Sequence, residues 1–209
     1  MSRCVIIGGG PYQDPRLLAQ KILADDVVIA ADSGWGLAAE MQTKPAVLVA
    51  DFDSLGEMAI PDDVKVVSLP IKKDDTDTAV AIREGYDMGI REFLLLGCTG
   101  GRLDHYYATL TVAAQYAAKD CRMMIADEQN DIRVLTAGVH KIQTTPNTIV
   151  SLFAFGGNVE DLSVDNVEYD IKRFVLSPFN PLCVSNSALG NEINVCFKSG
   201  ILLLHFSHD

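Results

Sequence analysis

The stretch Glu92-Phe93-Leu94-Leu95-Leu96-Gly97-Cys98-Thr99-Gly100-Gly101-Arg102-Leu103-Asp104-His105 decides the fold. Its apolar run predicts a buried strand, its glycines predict a tight turn, and a helical pattern follows over 102–118. Glycines at a strand-to-helix turn let backbone N–H groups approach an anion, and the helix dipole favours negative charge there. The stretch therefore predicts a strand–helix unit with an anion site at its turn.

The same alternation of strand and helix runs through the first 130 residues. Further short apolar runs predict strands at Cys4–Ile7, Val27–Ala31, Ala46–Ala50, Val64–Ser68 and Cys121–Ala126. Helical spacing lies between several of them, at 14–24, 34–41 and 76–88. Such alternation predicts an α/β fold with a mostly parallel, Rossmann-like sheet and flanking helices.

The pattern changes near Asn130, beyond which no helical period is found. Strand-like runs follow at 132–135, 139–142, 148–154, 164–169, 183–185, 192–197 and 200–206. Turn signals separate them, among them 155–158 and 198–200. We therefore predict an α/β domain over residues 1–130 and a small all-β sandwich or barrel domain over residues 131–209.

Composition narrows the class of protein. The net charge of −11 makes nucleic acid an unfavourable partner, because a phosphate backbone needs a basic face. The five cysteines are scattered and form no C-x-x-C pair, which favours a reducing cytoplasm over a disulfide framework. No apolar run reaches the roughly 20 residues needed to cross a bilayer.

Two acidic clusters could hold a cation. Asp51 and Asp53 follow an apolar strand, and in extended backbone residues i and i+2 point the same way. Two adjacent carboxylates repel, so a divalent cation such as Mg²⁺ is their natural partner; the alternative is one helix cap and one solvated side chain.

The second acidic cluster is Lys72-Lys73-Asp74-Asp75-Thr76-Asp77. Asp74 or Asp75 could cap the helix that starts near Thr76, with Asp77 in its first turn. Acids at a helix start are common for electrostatic reasons alone, but the neighbouring lysines supply the second sign of charge that a metal–triphosphate site needs.

Further candidate residues follow other strands. After 92–97 come Thr99, Gly100 and Gly101, then Arg102, which can bind phosphate with two parallel hydrogen bonds. Asp104 could orient Arg102 or reach a metal or substrate, and His105 is either a structural residue or a base. Asp32 follows the second strand, while Ser185 and Asn186 end a strand of the second domain.

Taken in order, these motifs resemble the signature of thiamine pyrophosphokinases. They are Ala31-Asp32-Ser33-Gly34, Asp51-Phe52-Asp53-Ser54, Lys73-Asp74-Asp75-Thr76-Asp77, Gly100-Gly101-Arg102-Leu103-Asp104-His105 and Ser185-Asn186. The resemblance implies transfer of pyrophosphate from Mg·ATP to thiamine by a cytoplasmic homodimer whose active site lies between subunits.

The resemblance also implies roles for single residues. Asp51, Asp53 and Asp77 would surround Mg²⁺, and Asp74, Arg102 and Asp104 would help to hold ATP and thiamine. Lys73 or Arg102 would stabilise charge on the phosphoryl oxygens, and Ser185 and Asn186 would border the thiamine pocket.

Some positions depart from the family pattern. Ala50 stands where glycine is usual, Tyr106-Tyr107-Ala108-Thr109 stands where an asparagine is common, and Trp35 is the only tryptophan. The aromatic side chain that stacks on thiamine in some relatives is therefore unassigned.

Three alternatives stay open at this point. A strand followed by D-x-D also opens haloacid-dehalogenase-type phosphatases, in which the first aspartate is a nucleophile. A pyrophosphokinase could instead act on another hydroxyalkyl heterocycle such as a pterin. A non-catalytic nucleotide- or thiamine-binding regulator is the third, although clustered carboxylates beside an anion argue against simple binding.

Overall fold

The computed structural model of the chain describes residues 2–12, 14–51, 60–70 and 75–208. It divides into two compact units. Unit 1 comprises Met1–Tyr116 and Asp120–Glu128, and unit 2 comprises Ala117–Lys119 and Gln129–Asp209. Among the described residues no helix is both long and apolar enough to cross a membrane. None of the five cysteines, all of which lie in the described ranges, forms a disulfide.

Unit 1 is built on parallel strands. They are β1 (Cys4–Ile7), β2 (Val27–Ala31), β3 (Val47–Asp51), β4 (Lys65–Leu69), β5 (Glu92–Leu96) and β6 (Arg122–Ala126). Their order across the sheet is β6-β5-β1-β2-β3-β4, and each neighbouring pair is parallel. The carboxyl ends of these strands therefore share one edge of the sheet.

Four helices connect the described strands of unit 1. They are α1 (Pro15–Ala19), α2 (Gly34–Glu40), α3 (Asp77–Asp87) and α4 (Leu103–Ala117). Asp14 caps α1, since its side chain accepts a hydrogen bond from the N–H of Arg16, and Pro15 opens the helix as predicted. The helix is shorter than the predicted 14–24, because from Lys21 onward the N–H groups bond three residues back.

The cap of α3 is a correction to the sequence analysis. The hydroxyl of Thr76, and not a carboxylate of Asp75, accepts a hydrogen bond from the N–H of Ala79, at 3.1 Å. Asp75 instead pairs with Arg83, whose Nη1 lies 2.7 Å from its Oδ2. Asp74, the other predicted cap, lies outside the described residues.

The core of unit 1 follows from the parallel sheet. Every residue of β1 is buried, as expected for a strand covered on both faces. Val5 and Ile7 pack with Leu94 and Leu96 of β5 and with Leu18 of α1 in one apolar cluster. These central strands fix the position of the loops that follow them.

Unit 2 is built on antiparallel strands. They are β7 (Asn130–Gln143), β8 (Ile149–Asp165), β9 (Ile171–Leu176), β10 (Asn186–Ser187) and β11 (Glu192–Ser207). Their order is β10-β8-β11-β7, and β9 pairs with β8. The core includes Leu152, Val164, Val195 and Leu204. The chain as a whole thus has parallel and antiparallel pairing and few helices.

Three strands of unit 2, β7, β8 and β11, are longer than predicted, whereas β10 has two residues in place of the predicted strand 183–185. The turn signals at 155–158 and 198–200 lie inside β8 and β11, where the register shifts and the strands continue. Gly200 makes the irregularity possible: its φ is +101°, and a Cβ there would stand 2.3 Å from the carbonyl oxygen of Asn158. The glycines therefore mark bulges and not strand ends.

Candidate active site

The carboxyl edge of unit 1 carries a cavity of about 500 Å³. It is bordered by the loops that follow β1, β2 and β5 and by the first turns of α3 and α4. The lining residues are Gly8–Pro11, Ala31–Ser33, Thr76–Thr78, Gly97–Arg102, His105, Tyr106 and Thr109. Open parallel sheets bind ligands at this edge, so the cavity is the candidate active site.

Two glycine loops form one wall of the cavity. The N–H of Gly8 donates to the carbonyl of Leu96 at 2.8 Å, and the N–H of Gly10 donates to that of Gly97 at 2.7 Å. A Cβ on Gly8 or Gly10 would lie 2.7 Å from the Gly97 oxygen, closer than real Cβ atoms come. Only glycine therefore fits at these two positions. The sequence analysis did not assign a role to them, although three consecutive glycines after the first strand were the signal that could have done so.

The turn after β5 has the backbone that its glycines predicted. Gly97, Gly100 and Gly101 have φ values of +61°, +71° and +59°, in the left-handed region that favours glycine. Cβ atoms on Gly100 and Gly101 would stand 2.9 and 3.1 Å from the ring of Pro11. The turn is therefore packed against the Gly8–Pro11 loop.

The loop after β2 forms a second wall. Asp32 has a left-handed φ of +51°, and its N–H donates to the carbonyl of Val49 at 2.7 Å. A Cβ on Gly9 would stand only 1.8 Å from the hydroxyl oxygen of Ser33. This close approach brings Asp32 to the same cavity as the glycine loops.

The start of α3 supplies a second carboxylate. Thr76, Asp77 and Thr78 all line the cavity, with Asp77 in the first turn of the helix. The unbonded N–H groups and the dipole of a helix start favour negative charge, so this end of the helix can attract an anion as well as support an acid.

Arg102 lines the cavity, and Asp104 holds it without lining the cavity itself. Nε and Nη2 of Arg102 lie 3.1 and 2.6 Å from the two carboxylate oxygens of Asp104. This contact raises the pKa of Arg102 and lowers that of Asp104. Of the two roles that the sequence left open for Asp104, the geometry favours orienting Arg102.

The cavity also contains residues that the sequence analysis did not single out as ligands. Tyr106 and Thr109 reach it from α4, and burial raises the pKa of Tyr106, with a smaller contribution from the charge of Asp127. Burial also raises the pKa of the Cys98 thiol to about 12, so this group stays protonated and is no nucleophile near neutral pH.

The three predicted metal ligands, Asp51, Asp53 and Asp77, differ in where they lie and in whether the structure describes them. Asp51 ends β3 at the carboxyl edge but does not line the cavity, whereas Asp77 does. Asp53 lies outside the described residues, as do Lys73 and Asp74. Within 2–12, 14–51, 60–70 and 75–208, no group of three His, Cys, Asp or Glu side chains is placed to hold a metal ion.

Ser185 and Asn186 lie in unit 2 and differ in exposure. Ser185 is exposed with a left-handed φ of +59°, and its N–H donates to the hydroxyl of Ser151 at 3.0 Å. Asn186 is only 8% exposed, and its side-chain amide bonds to the backbone of Tyr169. The two predicted pocket residues therefore have different surroundings.

The chain is similar to known proteins over nearly its whole length. The family model "Thiamin pyrophosphokinase, catalytic domain" matches residues 18–125, and "Thiamin pyrophosphokinase, vitamin B1 binding domain" matches residues 139–202. The thiamine pyrophosphokinase of Bacillus subtilis is 23% identical over 209 residues, which is 98% of each chain.

Solved structures show the same fold. The thiamine pyrophosphokinase of Bacillus subtilis superposes with a TM-score of 0.90 at 23% identity, covering 100% of both chains. That of Geobacillus thermodenitrificans gives 0.84 at 26% identity, covering 100% of this chain and 98% of the other. The yeast enzyme gives 0.78 at 16% identity, covering 99% and 86%. The catalytic-domain model matches more than half of the residues of this chain. The chain therefore belongs to the thiamin pyrophosphokinase family.

Proposed function

We propose that the chain transfers a pyrophosphate group from ATP to thiamine, giving thiamine diphosphate and AMP. The observation that carries this is the composition of the unit 1 cavity. Glycine turns, the starts of α3 and α4 and Arg102 surround the same space as the carboxylates of Asp32 and Asp77. A site that handles a polyphosphate, a divalent metal and a cationic substrate needs both signs of charge.

The positive features suit a polyphosphate. Thr99, Gly100 and Gly101 precede α4, where backbone N–H groups and the helix dipole favour an anion. The guanidinium of Arg102, held by Asp104, can make paired hydrogen bonds to phosphoryl oxygens. His105 adds a polar side chain in the first turn of the same helix.

The carboxylates suit a hard divalent ion. Asp51 and Asp77 offer the oxygen ligands that Mg²⁺ prefers, and the proposal includes Asp53 as a third metal ligand and Lys73 and Asp74 as substrate-binding residues. When bound, Mg²⁺ offsets the charge of the polyphosphate and polarises its oxygens. The donor set fits this ion.

The reaction is an in-line displacement. The hydroxyethyl oxygen of thiamine forms a bond to the β-phosphorus of ATP while the bond from that phosphorus to the oxygen bridging to the α-phosphorus breaks, and AMP leaves. The hydroxyl loses its proton as the new bond forms; Asp32, Asp77 and His105 are the bases that line the cavity. Such transfers depend mainly on positioning and electrostatics.

We also propose a separate role for each of the two domains. Residues 1–130, with a Rossmann-like sheet, would bind ATP and Mg²⁺; residues 131–209, as a sandwich or barrel, would contribute Ser185 and Asn186 to the thiamine pocket and take part in a homodimer. The vitamin B1 binding model that matches 139–202 supports the second assignment. Five scattered cysteines without a disulfide suit a reducing compartment such as the cytoplasm.

One assay tests the activity. The protein is incubated with Mg·ATP and, in separate reactions, thiamine, a hydroxymethylpterin and other vitamins, and AMP and the diphosphate ester are measured by chromatography. AMP and thiamine diphosphate forming in equal amounts are expected. AMP with the pterin alone would reassign the substrate, and release of inorganic phosphate from phosphate esters without a nucleotide would favour a phosphatase. Thiamine binding without turnover would indicate a regulator.

A further inference from the structure

We infer that the hydroxyl of Thr109 forms a hydrogen bond to the nucleoside part of ATP and so helps to select the nucleotide. The inference rests on the proposed function and deepens it at the unit 1 cavity. Thr109 lies in the stretch 106–109, where the chain departs from the family pattern, and the sequence analysis gave it no role.

Thr109 differs from the other buried polar residues. In the described parts of the chain, four polar residues are only 6–8% exposed, and they are Thr109, Thr148, Ser151 and Asn186. Side-chain hydrogen bonds of 2.8–3.1 Å satisfy the last three. The side chain of Thr109 has no hydrogen-bond partner among the described residues. Because buried polar groups are nearly always hydrogen-bonded, this exception points to a partner that comes from a ligand.

Thr111 is the internal comparison on the same helix. It is exposed, and its hydroxyl donates to the carbonyl of Tyr107, four residues earlier, at 2.9 Å. A bond back to the preceding turn is the usual one for a threonine in a helix. Thr109 does not form the corresponding bond to the carbonyl of His105, so within the described ranges its hydroxyl is left for a ligand of the cavity that it lines.

The hydroxyl of Thr109 is not sealed inside the protein. Among the described residues, the enclosed side-chain atoms without a partner are Nε of Arg133 and Nε2 of His205. The oxygen of Thr109 also lacks a partner but is not one of these enclosed atoms, so it keeps some accessible surface. Since Thr109 lines the unit 1 cavity, this surface opens into the cavity.

The position of Thr109 along α4 favours the nucleoside over the phosphates. Arg102, His105, Tyr106 and Thr109 all line the cavity, and their spacing of i, i+3, i+4 and i+7 places them on one helix face. Arg102 and the glycine turn stand at the start of this face, and Thr109 lies about 10 Å further along the helix axis. Beside Thr109 the face carries Tyr106 and no charged group, which suits a ribose hydroxyl or the edge of a base.

Direct binding tests the contact. Calorimetry of the full chain with Mg²⁺ compares Thr109→Val, Thr109→Ser and Thr111→Val for their affinity for AMP and for inorganic triphosphate. We expect Thr109→Val to weaken AMP binding about three- to tenfold, the scale of one lost hydrogen bond, and to change triphosphate binding by less than about twofold. Thr109→Ser keeps the hydroxyl and should bind AMP within about twofold of the wild type, and Thr111→Val should match the wild type.

Steady-state kinetics should agree with the binding data. Thr109→Val should raise the KM for Mg·ATP by a similar factor. Its kcat and its KM for thiamine should stay within about twofold of the wild type, because the hydroxyl contacts neither the reacting phosphorus nor thiamine.

Thermal melting separates a ligand contact from a structural role. A buried hydroxyl without a protein partner costs stability, so Thr109→Val without ligand should melt no lower than the wild type. Added AMP should raise its melting temperature less than it raises that of the wild type. If Thr109→Val does not fold, Thr109→Ala replaces it in the binding measurements.

Failure of the inference is distinct from failure of the proposed function. A wild-type protein that makes no AMP from ATP and thiamine would remove the function. With an active wild type, unchanged AMP affinity in Thr109→Val would remove the contact. Equal weakening of AMP and triphosphate would assign the hydroxyl to the phosphates and overturn the nucleoside contact, and a lower melting temperature without ligand would show that the hydroxyl serves the fold.

Discussion

Arg102 and Asp104 form a paired contact at the rim of the unit 1 cavity, with Nε–Oδ1 and Nη2–Oδ2 distances of 3.1 and 2.6 Å. Both side chains are largely exposed, at 72% and 62%, so the pair adds little to stability. Arg102 faces the cavity and Asp104 does not. The pair therefore orients the Arg102 guanidinium at the cavity and does not serve to hold the fold together.

Substitution of either residue should affect catalysis more than stability. Arg102→Ala should lower kcat/KM for Mg·ATP by about 10²-fold, the scale seen when one electrostatic stabiliser is removed. Asp104→Ala should have a smaller effect in the same direction, and the double variant should resemble Arg102→Ala. Kinetics of AMP formation check this.

The chain contains a matched control for that pair. Arg16 contacts Asp14 with nearly the same geometry, at 3.0 and 2.8 Å, but does not line the cavity. Arg16→Ala should leave the kinetics unchanged. If it lowered activity as much as Arg102→Ala, the effect would come from general charge and not from the site.

Asp77 and Asp87 stand at opposite ends of α3 and allow a second comparison. Asp77→Asn should lower kcat by about 10²-fold or more, because it removes a carboxylate proposed to hold the metal ion. Raising the Mg²⁺ concentration should recover part of the loss. Asp87→Asn, at the exposed far end, should have wild-type kinetics; equal rates for the two variants would exclude Asp77 from the site.

Gly9 and Ser33 test the packing of the cavity wall. Gly9→Ala would place a Cβ 1.8 Å from the hydroxyl oxygen of Ser33 and 2.8 Å from its Cβ, so the wall must shift and activity should fall. The double variant Gly9→Ala/Ser33→Gly removes both contacts and should regain much of the activity. No regain would show that the clash with Ser33 is not the cause.

Gly36 is the control for that substitution. It lies in α2, and a Cβ there meets nothing within 4 Å. Gly36→Ala should keep full activity and stabilise the protein by about 0.5–1 kcal/mol, because alanine loses less backbone entropy in a helix. Thermal melting measures this, and a lower melting temperature would contradict it.

His205 should make stability depend on pH. Burial lowers its pKa to about 4, and its Nε2 has no hydrogen-bond partner within the described part of the chain. The unfolded state takes up a proton near pH 6.5, whereas the folded state does so only near pH 4. Stability should therefore fall as the pH drops from about 6.5 to 4, by up to about 3 kcal/mol from this residue.

A variant isolates that contribution. His205→Leu removes the titrating group and keeps an apolar side chain beside Phe153, whose ring lies 5.2 Å from that of His205. Denaturant unfolding at several pH values should show a shallower loss of stability in this variant. Parallel curves for the variant and the wild type would assign the acid sensitivity to other groups.

The sequence predicted the strands of unit 1 well for a physical reason. Each is a short run rich in apolar residues and bounded by turn residues, and all but β4 are mostly buried, so the observed ends lie within a residue or two of the predicted ones. The helix at 77–87 was predicted from its helical spacing, but the prediction that Asp75 caps it was wrong, because Thr76 is the cap. A cap depends on which of several neighbouring polar side chains reaches the free N–H, and spacing alone does not decide that.

Unit 2 was harder because its pairing is long-range. Gly156 and Gly200 look like turns in sequence, but β8 and β11 continue past them because each is held by a partner strand far away along the chain. The strand Ile171–Leu176 was missed, since its Arg173 has a left-handed φ and its pairing with β8 is irregular. Local patterns contain no information about such partners.

The candidate site also contains some residues that the sequence could identify and others that it could not. The structure brings Asp32, Asp77 and Arg102 to one cavity, and their roles in substrate binding stay predictions. Gly8–Gly10 and Thr109 were not assigned, because they carry no charge and their importance depends on what lies against them. Acidic and basic residues could be singled out in the sequence by their chemistry. The uncharged residues that form the wall of the cavity could not, because their importance depends on what they contact.

The hydrogen bonds from Gly8 to Leu96 and from Gly10 to Gly97 extend the ladder between β1 and β5 by one further step into the loops. Amide protons at Gly8 and Gly10 should consequently exchange with solvent as slowly as those of a strand, although three consecutive glycines are usually among the most mobile segments of a chain. A nucleotide entering the cavity would then meet a preformed surface along this side and lose little affinity to ordering it.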